Sequence, residues 1–150
     1  MGNLCSYNSK SKKEVFTWNL TKPYVPTIEK GTVIKIYDGD TITIGGYVKG
    51  DPMKYRFSVR LLGIDCPEIK SHDSFEKKHA LEGKQYLESI FLNKEVTLKN
   101  ITTEKYGRLL ADVYFENTHI NQLMLDKKFA IPYDGKTKDK NFNWKEFTSS

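Results

Sequence analysis

Short segments in which apolar and polar residues alternate fill the middle of the chain, and each segment ends at a turn signal. Residues 32–37 read "TVIKIY", the turn "DGD" follows, and residues 41–44 read "TITI". A period of two residues places alternate side chains on opposite faces of a strand, and Asp-Gly between two such segments favours a hairpin. The pattern therefore predicts a mainly β domain that begins with a β-hairpin near Gly31.

A longer third strand is predicted over residues 53–64. Alternation places Tyr55, Phe57, Val59 and Leu61 on one face and Arg56, Ser58 and Arg60 on the other. A helix of roughly 18 residues follows, because Asp73 and Glu76 form a variant of the capping box and apolar residues then recur at helical spacing.

Two more strands, at 95–99 and 109–115, and a shorter helix at 119–130 complete the pattern. Five strands with one helix after the third is the element order of an OB-fold barrel. We therefore expect an α+β, mainly β chain: a five-stranded OB-fold barrel with two to three helices.

A chain of 150 residues is long enough for one hydrophobic core, so we expect a single folded domain with flanking segments. Residues 1–13 are polar and predict a flexible tail. Residues 14–30 are apolar but contain prolines, which predicts an extended lead-in lying on the domain. The domain itself is placed at 31–133, and 134–150 is predicted as a short linker and tail with no confident helix.

The charge balance favours an anionic partner. Lys and Arg number 24 against 19 Asp and Glu, a formal net charge of +5, which suits nucleic acid or a membrane surface. The chain uses arginine only at Arg56, Arg60 and Arg108. A guanidinium forms bidentate hydrogen bonds with phosphate oxygens, so these positions are candidates for phosphate contact. Neither the cysteines nor the histidines have the spacing of a zinc site.

Carboxylates cluster at the predicted strand ends. The run "VRLLGIDCPE" at 59–68 places Asp65 and Glu68 after an apolar strand, and "DGD" places Asp40 at the first hairpin turn. Hard carboxylate oxygens, with waters and a backbone carbonyl, suit Ca²⁺. The alternative is that Asp38 and Asp40 only form the turn, that the other two acids are a solvated strand end, and that Arg60 pairs with an acid as a structural salt bridge.

Three motifs taken together resemble the staphylococcal nuclease (thermonuclease) family. They are "DGDT" at 38–41, "RLLGIDCPE" at 60–68 and "EKYGR" at 104–108, and the resemblance covers roughly residues 31–133. It implies the OB-fold and a Ca²⁺-dependent hydrolysis of phosphodiester bonds. The implied substrates are DNA and RNA, preferably single-stranded, with products that carry 3′-phosphate ends.

The resemblance also implies roles for particular residues. Glu68 would be the general base that takes a proton from the attacking water, or orients that water. Arg60 and Arg108 would bind the phosphate and stabilise its charge in the transition state. Gly107 would let the loop turn tightly enough for Arg108 to point inward. The alternative for Arg108 is an exposed loop charge.

The implied metal ligands are Asp40, Asp65 and the backbone carbonyl of Cys66. Many relatives have threonine at the last position, and a ligand that binds through its backbone tolerates that change. Asp38 is expected to form the turn or to lie behind the ligands.

Substrate contacts are expected from Lys105, Tyr106 and Tyr133, because an aromatic face stacks on a base and lysine contacts phosphate. The alternative is that both tyrosines cover the mouth of the barrel. Relatives continue into a further helix after this region, and we expect that helix to be short or missing here.

The first six residues, "MGNLCS", fit the pattern for N-myristoylation of Gly2, with Cys5 placed for palmitoylation in a eukaryotic cell. Two acyl chains, or one with the lysines that follow, anchor a protein stably. We therefore expect a monomer in the cytoplasm, attached peripherally to the cytoplasmic face of a membrane and not secreted by a classical signal peptide. The alternative for the motif is a chance match.

Two functions remain open at this point. The first is the calcium-dependent nuclease, which is favoured because both arginines and all three acids are present. The second is a non-catalytic, membrane-tethered OB-fold module that binds nucleic acid or protein.

Overall fold

A computed structural model of the chain describes residues 13–150. Its helices are α1 (Ser74–Phe91), α2 (Ile120–Asp126) and α3 (Trp144–Ser149), and a 3-10 turn covers Trp18–Leu20. Its strands are β1 (Lys30–Ile36), β2 (Thr41–Tyr47), β3 (Lys54–Leu61), β4 (Ile64–Asp65), β5 (Glu95–Thr103), β6 (Leu109–Phe115), β7 (Thr118–His119) and β8 (Ile131–Pro132).

Five of these strands close into a barrel. They are hydrogen-bonded in the order β3-β2-β1-β5-β6, and β6 then pairs with β3 in parallel. In that closing pair Val59 lies opposite Leu109 and Leu61 lies opposite Ala111. Closure leaves no free edge between β3 and β6, the solution that small antiparallel barrels use. The expectation of a mainly β, five-stranded OB-fold barrel with two to three helices is confirmed.

The core fills the barrel and continues beneath α1 and α2. Alternate residues of each strand point inward, as the period of two predicts. The buried apolar side chains include Val33, Ile36, Ile42, Ile44, Val59, Leu61, Leu87, Phe91, Val96, Leu98, Val113 and Met124. β-branched residues dominate the strand positions because their stiff side chains pack well on a pleated surface.

The first helix begins where the sequence predicted. The Asp73 side chain accepts a hydrogen bond from the Glu76 N–H at 2.7 Å, so Asp73 is the N-cap. The reciprocal half of the capping box was predicted wrongly. The Glu76 carboxylate instead accepts hydrogen bonds from the preceding loop, which matters for the site described below.

The second helix ends earlier than predicted, at Asp126 rather than residue 130. Lys128 has a φ of 57°, a left-handed conformation that cannot continue an α-helix. The Phe129 N–H bonds the Met124 carbonyl at 3.0 Å and closes the turn. Backbone conformation at a single residue therefore stopped a helix whose apolar pattern runs further.

The C-terminal segment carries a short helix, α3. Asn143 caps it by accepting a hydrogen bond from the Glu146 N–H at 3.1 Å. Trp144 is buried and its ring lies 5.9 Å from that of His79 on α1. The charged stretch, residues 134–141, is therefore held at one end by β8 and at the other by the contact between Trp144 and His79, which we call the aromatic cluster of α3.

The lead-in does not lie on the barrel along its whole length, contrary to expectation. Its apolar side chains are exposed from Val15 to Val25, and Pro26 and Ile28 are the first buried residues in the described part of the chain. Among residues 13–150, the structure contains no helix with the length and apolarity needed to span a bilayer.

Asn121 on α2 joins the helix to the closing strands. Its Oδ1 accepts from the Val113 N–H at 3.0 Å, and its Nδ2 donates to the carbonyls of Leu62 and Ala111 at 2.9 and 3.1 Å. The side chain is buried, so water cannot replace these bonds.

Replacing Asn121 by alanine is expected to lower the free energy of unfolding by roughly 2–4 kcal/mol, because buried backbone groups lose their partners. Urea denaturation measures the change. Gln122→Ala, at the exposed neighbouring position, is the control and should cost at most about 0.5 kcal/mol. Equal losses in the two variants would contradict a structural role for the Asn121 bonds.

Candidate active site

The turn between β1 and β2 places two carboxylates at one end of the barrel. The Asp38 carboxylate accepts a hydrogen bond from the Asp40 N–H at 3.1 Å, which holds the turn tight. Asp40 is only 1% exposed, and its Oδ1 accepts from the Thr41 hydroxyl at 2.8 Å. Asp38 therefore forms the turn that aims Asp40.

Arg60 lies between the two predicted metal ligands. The β2–β3 register places it opposite Thr41, next to Asp40. Its Nη1 donates to Asp40 Oδ1 and its Nη2 to Asp65 Oδ1, both at 2.9 Å. Burial opposes the charge of Arg60, but the charge of Asp40 and the hydrogen bond to Asp65 prevail and raise the pKa of the guanidinium. The salt-bridge alternative is thus present in the structure. Nη2 also donates to the Ile64 carbonyl at 3.5 Å, whereas Nη1 keeps a second N–H for another acceptor.

Lys138 is a member of the site that the sequence did not reveal. Its Nζ lies 2.7 Å from Asp65 Oδ1 and 2.7 Å from Glu68 Oε1. Partial burial opposes its charge, yet the hydrogen bonds to the two carboxylates outweigh burial and raise the pKa of Lys138. The residue belongs to the charged run "DGKTKDKN", and a run of lysines gives no reason to select one of them.

The loop that carries Glu68 is fixed to α1 by Glu76. The Glu76 carboxylate accepts from the Glu68 N–H at 3.0 Å and from the Ser71 hydroxyl at 2.6 Å. The Glu68 side chain itself is 62% exposed and faces solvent beside Lys138. A rigid backbone with an accessible carboxylate is what a group that removes a proton from water requires.

Arg108 is positioned by Glu104 at the opposite end of its loop. Its Nε and Nη2 donate to the two Glu104 oxygens at 3.2 and 3.3 Å, and the N–H groups of Tyr106 and Arg108 bond the same carboxylate. Burial works against the charge of Glu104, but these bonds lower its pKa. Gly107 has a φ of 82°, as the tight loop requires. Glu104 was quoted within the motif, but no role was predicted for it.

The parallel β3–β6 pairing brings the two arginines to one surface. Arg60 lies opposite Leu110, so Arg108, two residues before Leu110, shares the outward face of the same strand pair. A cleft of about 1060 Å³ opens there. Its lining includes Asp38, Arg60, Glu68, Tyr106, Arg108 and Tyr133.

The remaining predicted residues lie around this cleft. Lys105 also lines it, with its Nζ 4.9 Å from the exposed ring of Tyr106. The guanidinium of Arg60 lies 5.7 Å from the Tyr133 ring. Cys66 is buried behind Arg60, and its N–H donates to Asp40 Oδ2 at 3.3 Å.

A second cleft, of about 870 Å³, adjoins the first. Asp65 and Cys66 line it, and Glu68, Tyr133 and Lys138 line both clefts. Glu68 is therefore reached from both clefts and Asp65 from the second, while Asp40 lines neither. Gly2 and Cys5 lie outside the described residues.

The donor set fits a hard divalent cation. Carboxylate oxygens of Asp38 and Asp40 and the Sγ of Cys66 lie within 4.8 Å of one another, so this group contains Asp38 and the thiol rather than the predicted Asp65 and Cys66 carbonyl. Burial and the charge of Asp40 raise the pKa of Asp38 to about 7, as expected where acids crowd together. Burial also raises the pKa of the Cys66 thiol well above its usual value, so the sulfur stays protonated and disfavours a soft metal.

The charges lead to the same conclusion. The three predicted acids, Asp40, Asp65 and Glu68, face two cations, Arg60 and Lys138, which leaves one negative charge uncompensated when all three are ionised. Asp38, with its raised pKa, adds negative charge only as it ionises. The excess of negative charge suits a divalent cation, which Asp40 and Asp65 with the Cys66 carbonyl could hold.

Comparison with known proteins gives the family. The family model for staphylococcal nuclease homologues matches residues 58–148, from β3 to α3. The chain belongs to this family.

Named relatives include endonucleases. The chain is 38% identical over 105 residues to an uncharacterized protein of Bacillus anthracis, covering 68% of this chain and 46% of the relative. It is 30% identical over 128 residues to a probable endonuclease of Schizosaccharomyces pombe (70% and 56% covered) and 27% identical over 121 residues to an uncharacterized endonuclease of Escherichia coli (80% and 69% covered). The chain spans about half the length of the first two relatives.

Replacing Lys138 by methionine is expected to strengthen Ca²⁺ binding by roughly tenfold, because a competing cation leaves Asp65 and Glu68. Titration calorimetry at low ionic strength measures the affinity. Lys136→Met is the matched control, because Lys136 lies on the same segment but pairs with Asp134 at the surface. Weaker binding in the Lys138 variant would instead show that the lysine holds the two carboxylates in their binding arrangement.

Proposed function

We propose that the protein is a calcium-dependent nuclease of the thermonuclease type that hydrolyses phosphodiester bonds in DNA and RNA. The observation that carries the proposal is the convergence of Arg60, Arg108 and Glu68 on one cleft, with Asp40 and Asp65 paired to Arg60. Two guanidinium groups and a carboxylate facing one cavity match the needs of phosphate binding and water activation. Family membership and the names of the relatives support the same activity.

In the proposed reaction the phosphodiester occupies the cleft with its non-bridging oxygens toward the two arginines. Arg60 donates through the Nη1 N–H that Asp40 leaves unused, and Arg108 donates from the same outward face of the β3–β6 pair. Charge-assisted bonds of this kind stabilise the extra negative charge of the transition state.

Glu68 takes a proton from, or orients, the water that attacks phosphorus. Its exposed carboxylate lines the same cleft as the arginines, and its backbone is fixed through Glu76. A Ca²⁺ ion held by Asp40, Asp65 and the Cys66 carbonyl would supply Lewis-acid stabilisation of the phosphate. Lys138 must shift or share its carboxylate partners when such an ion binds, because it contacts Asp65 directly.

The substrate is expected to be single-stranded rather than duplex. Tyr106 is exposed at the rim and Tyr133 lies against Arg60, so both rings are available to stack on unpaired bases. Lys105 beside Tyr106 supplies a charge for the backbone phosphate. None of these groups forms a pattern of base-edge readout, so cleavage should show little sequence preference.

Wild-type protein is expected to cleave single-stranded DNA with Ca²⁺ and to stop when a chelator is added. Glu68→Gln should lower kcat by about 10²–10⁴-fold, because the proton acceptor is lost while the shape of the side chain is kept. Glu95→Gln, at an exposed surface ion pair far from the cleft, is the control and should leave the rate unchanged. Equal rates in Glu68→Gln and wild type would reject the mechanism, and an inactive wild type would favour the non-catalytic module.

We also propose that Gly2 is myristoylated and Cys5 palmitoylated in a eukaryotic host, so that the nuclease attaches to the cytoplasmic face of a membrane as a monomer. The support is the N-terminal pattern "MGNLCS" with the lysines that follow it. One acyl chain binds marginally, and a second chain or a basic segment makes attachment stable.

Gly2→Ala is expected to lower the share of the protein in the membrane fraction of a eukaryotic host, because the acceptor glycine is lost. Cell fractionation with quantitative blotting measures the partition. Asn3→Ala, which leaves the acceptor glycine in place, is the control. If the two variants partition alike, acylation at Gly2 is not what holds the protein at the membrane.

A further inference from the structure

The end of the barrel remote from the candidate active site carries an exposed apolar surface. Along the lead-in, Phe16, Trp18, Leu20 and Tyr24 are between 72 and 92% exposed. At the tip of the β2–β3 hairpin, Tyr47, Met53 and Tyr55 are also exposed. We call these two groups together the apolar face.

The end of the lead-in contacts the hairpin tip. The Lys49 N–H at the hairpin tip donates to the Thr27 carbonyl of the lead-in at 2.9 Å. At the tip the Tyr55 hydroxyl donates to the Asp51 carboxylate at 2.8 Å, and this bond raises the pKa of Tyr55. The lead-in therefore joins the barrel beside the hairpin tip.

The hairpin-tip part of the apolar face lies away from the cleft, and the described lead-in residues do not line it. β3 runs from Lys54 at the hairpin tip to Arg60 at the candidate site, six residues further along. At about 3.3 Å per residue the two ends are roughly 20 Å apart. Binding of a partner to the apolar face would therefore leave the cleft open to its substrate.

Lysines surround the apolar residues. Lys22 of the lead-in, Lys49 and Lys54 of the hairpin tip, and Lys13 just before the lead-in are all exposed, as are Glu14 and Glu29 of the lead-in. The nearest opposing charge at the tip is Asp51, whose carboxylate accepts from the Tyr55 hydroxyl and the Met53 N–H. Bulky apolar side chains with a basic border are the composition that binds at the headgroup level of an anionic bilayer.

We propose that the apolar face docks on an anionic phospholipid surface, with the lead-in side chains inserted at the headgroup boundary and the lysines against the lipid phosphates. A lipid surface is favoured over a nucleic acid because aliphatic Val15, Leu20 and Met53 accompany the aromatic rings and offer nothing for base stacking. The N-terminal acylation pattern, fewer than a dozen residues before the lead-in, is consistent with the same orientation. The proposal does not depend on nuclease activity.

The two tryptophans give a direct measurement. Trp18 is 92% exposed, whereas Trp144 is 6% exposed within the aromatic cluster of α3. Full-length protein made in a bacterial host without acyltransferase is mixed with phosphatidylserine-containing vesicles, with pure phosphatidylcholine vesicles, or with single-stranded DNA plus chelator. We expect the fluorescence to shift to shorter wavelength with the anionic vesicles and to change little with the other two. Trp18→Phe keeps the surface apolar and should keep vesicle binding while abolishing the shift.

Substitution of Phe16, Trp18 and Leu20 by serine is expected to weaken co-sedimentation with anionic vesicles by at least about tenfold. Lys22→Gln and Lys49→Gln should each weaken it by about fivefold at low salt. Leu81→Ser with Leu92→Ser, at exposed positions outside the apolar face, is the control and should bind like wild type.

Circular dichroism and the nuclease assay check that each variant is folded, since none of these residues lies in the cleft. Failure of the wild type to bind anionic vesicles, or equal binding by the serine variant, would overturn the proposal. A Trp18 shift with DNA and none with vesicles would assign the face to nucleic acid instead. If the wild type binds anionic vesicles but shows no nuclease activity, only the proposed function is contradicted.

Discussion

The interaction on which the candidate site depends is the pairing of the partly buried Arg60 guanidinium with Asp40 and Asp65. It joins the first hairpin turn, through Asp40, to β4, through Asp65, and fixes both carboxylates at one end of the barrel. Taking three charges out of water is costly unless their hydrogen bonds are satisfied, and here the Thr41 hydroxyl and the Cys66 N–H complete the set. These bonds let three charged side chains stay largely out of water, which an unpaired charge in a hydrophobic core could not do.

A second set of residues holds the chemistry in place without belonging to it. Glu76 fixes the backbone of Glu68 from the first turn of α1, and Glu104 fixes Arg108 within its loop. Lys138 reaches in from the segment before α3 and neutralises part of the acidic cluster. Such supports restrict the positions of the reacting groups, which matters because small displacements of a catalytic group reduce the rate strongly.

Sequence patterns predicted the elements well where local physics decides them. Alternation gave the strands, and Asp73 gave the start of the long helix, because the N-cap bond is made within four residues. The predicted second helix was too long, since its apolar pattern continues past the left-handed residue Lys128 that ends it. The lead-in was predicted to lie on the domain because apolar residues usually pack, yet its side chains are exposed.

The amino-acid sequence by itself determined the barrel, the family resemblance and the list of acids and arginines that can act on a phosphodiester, because strand periodicity and short motifs are local properties of the chain. Tertiary structure alone decided which groups meet. Barrel closure through the parallel β3–β6 pair brings Arg108 beside Arg60, and the docking of Trp144 near α1 holds the segment from which Lys138 reaches Glu68, 70 residues away in sequence. These contacts depend on register and packing between distant segments, and no local pattern encodes them.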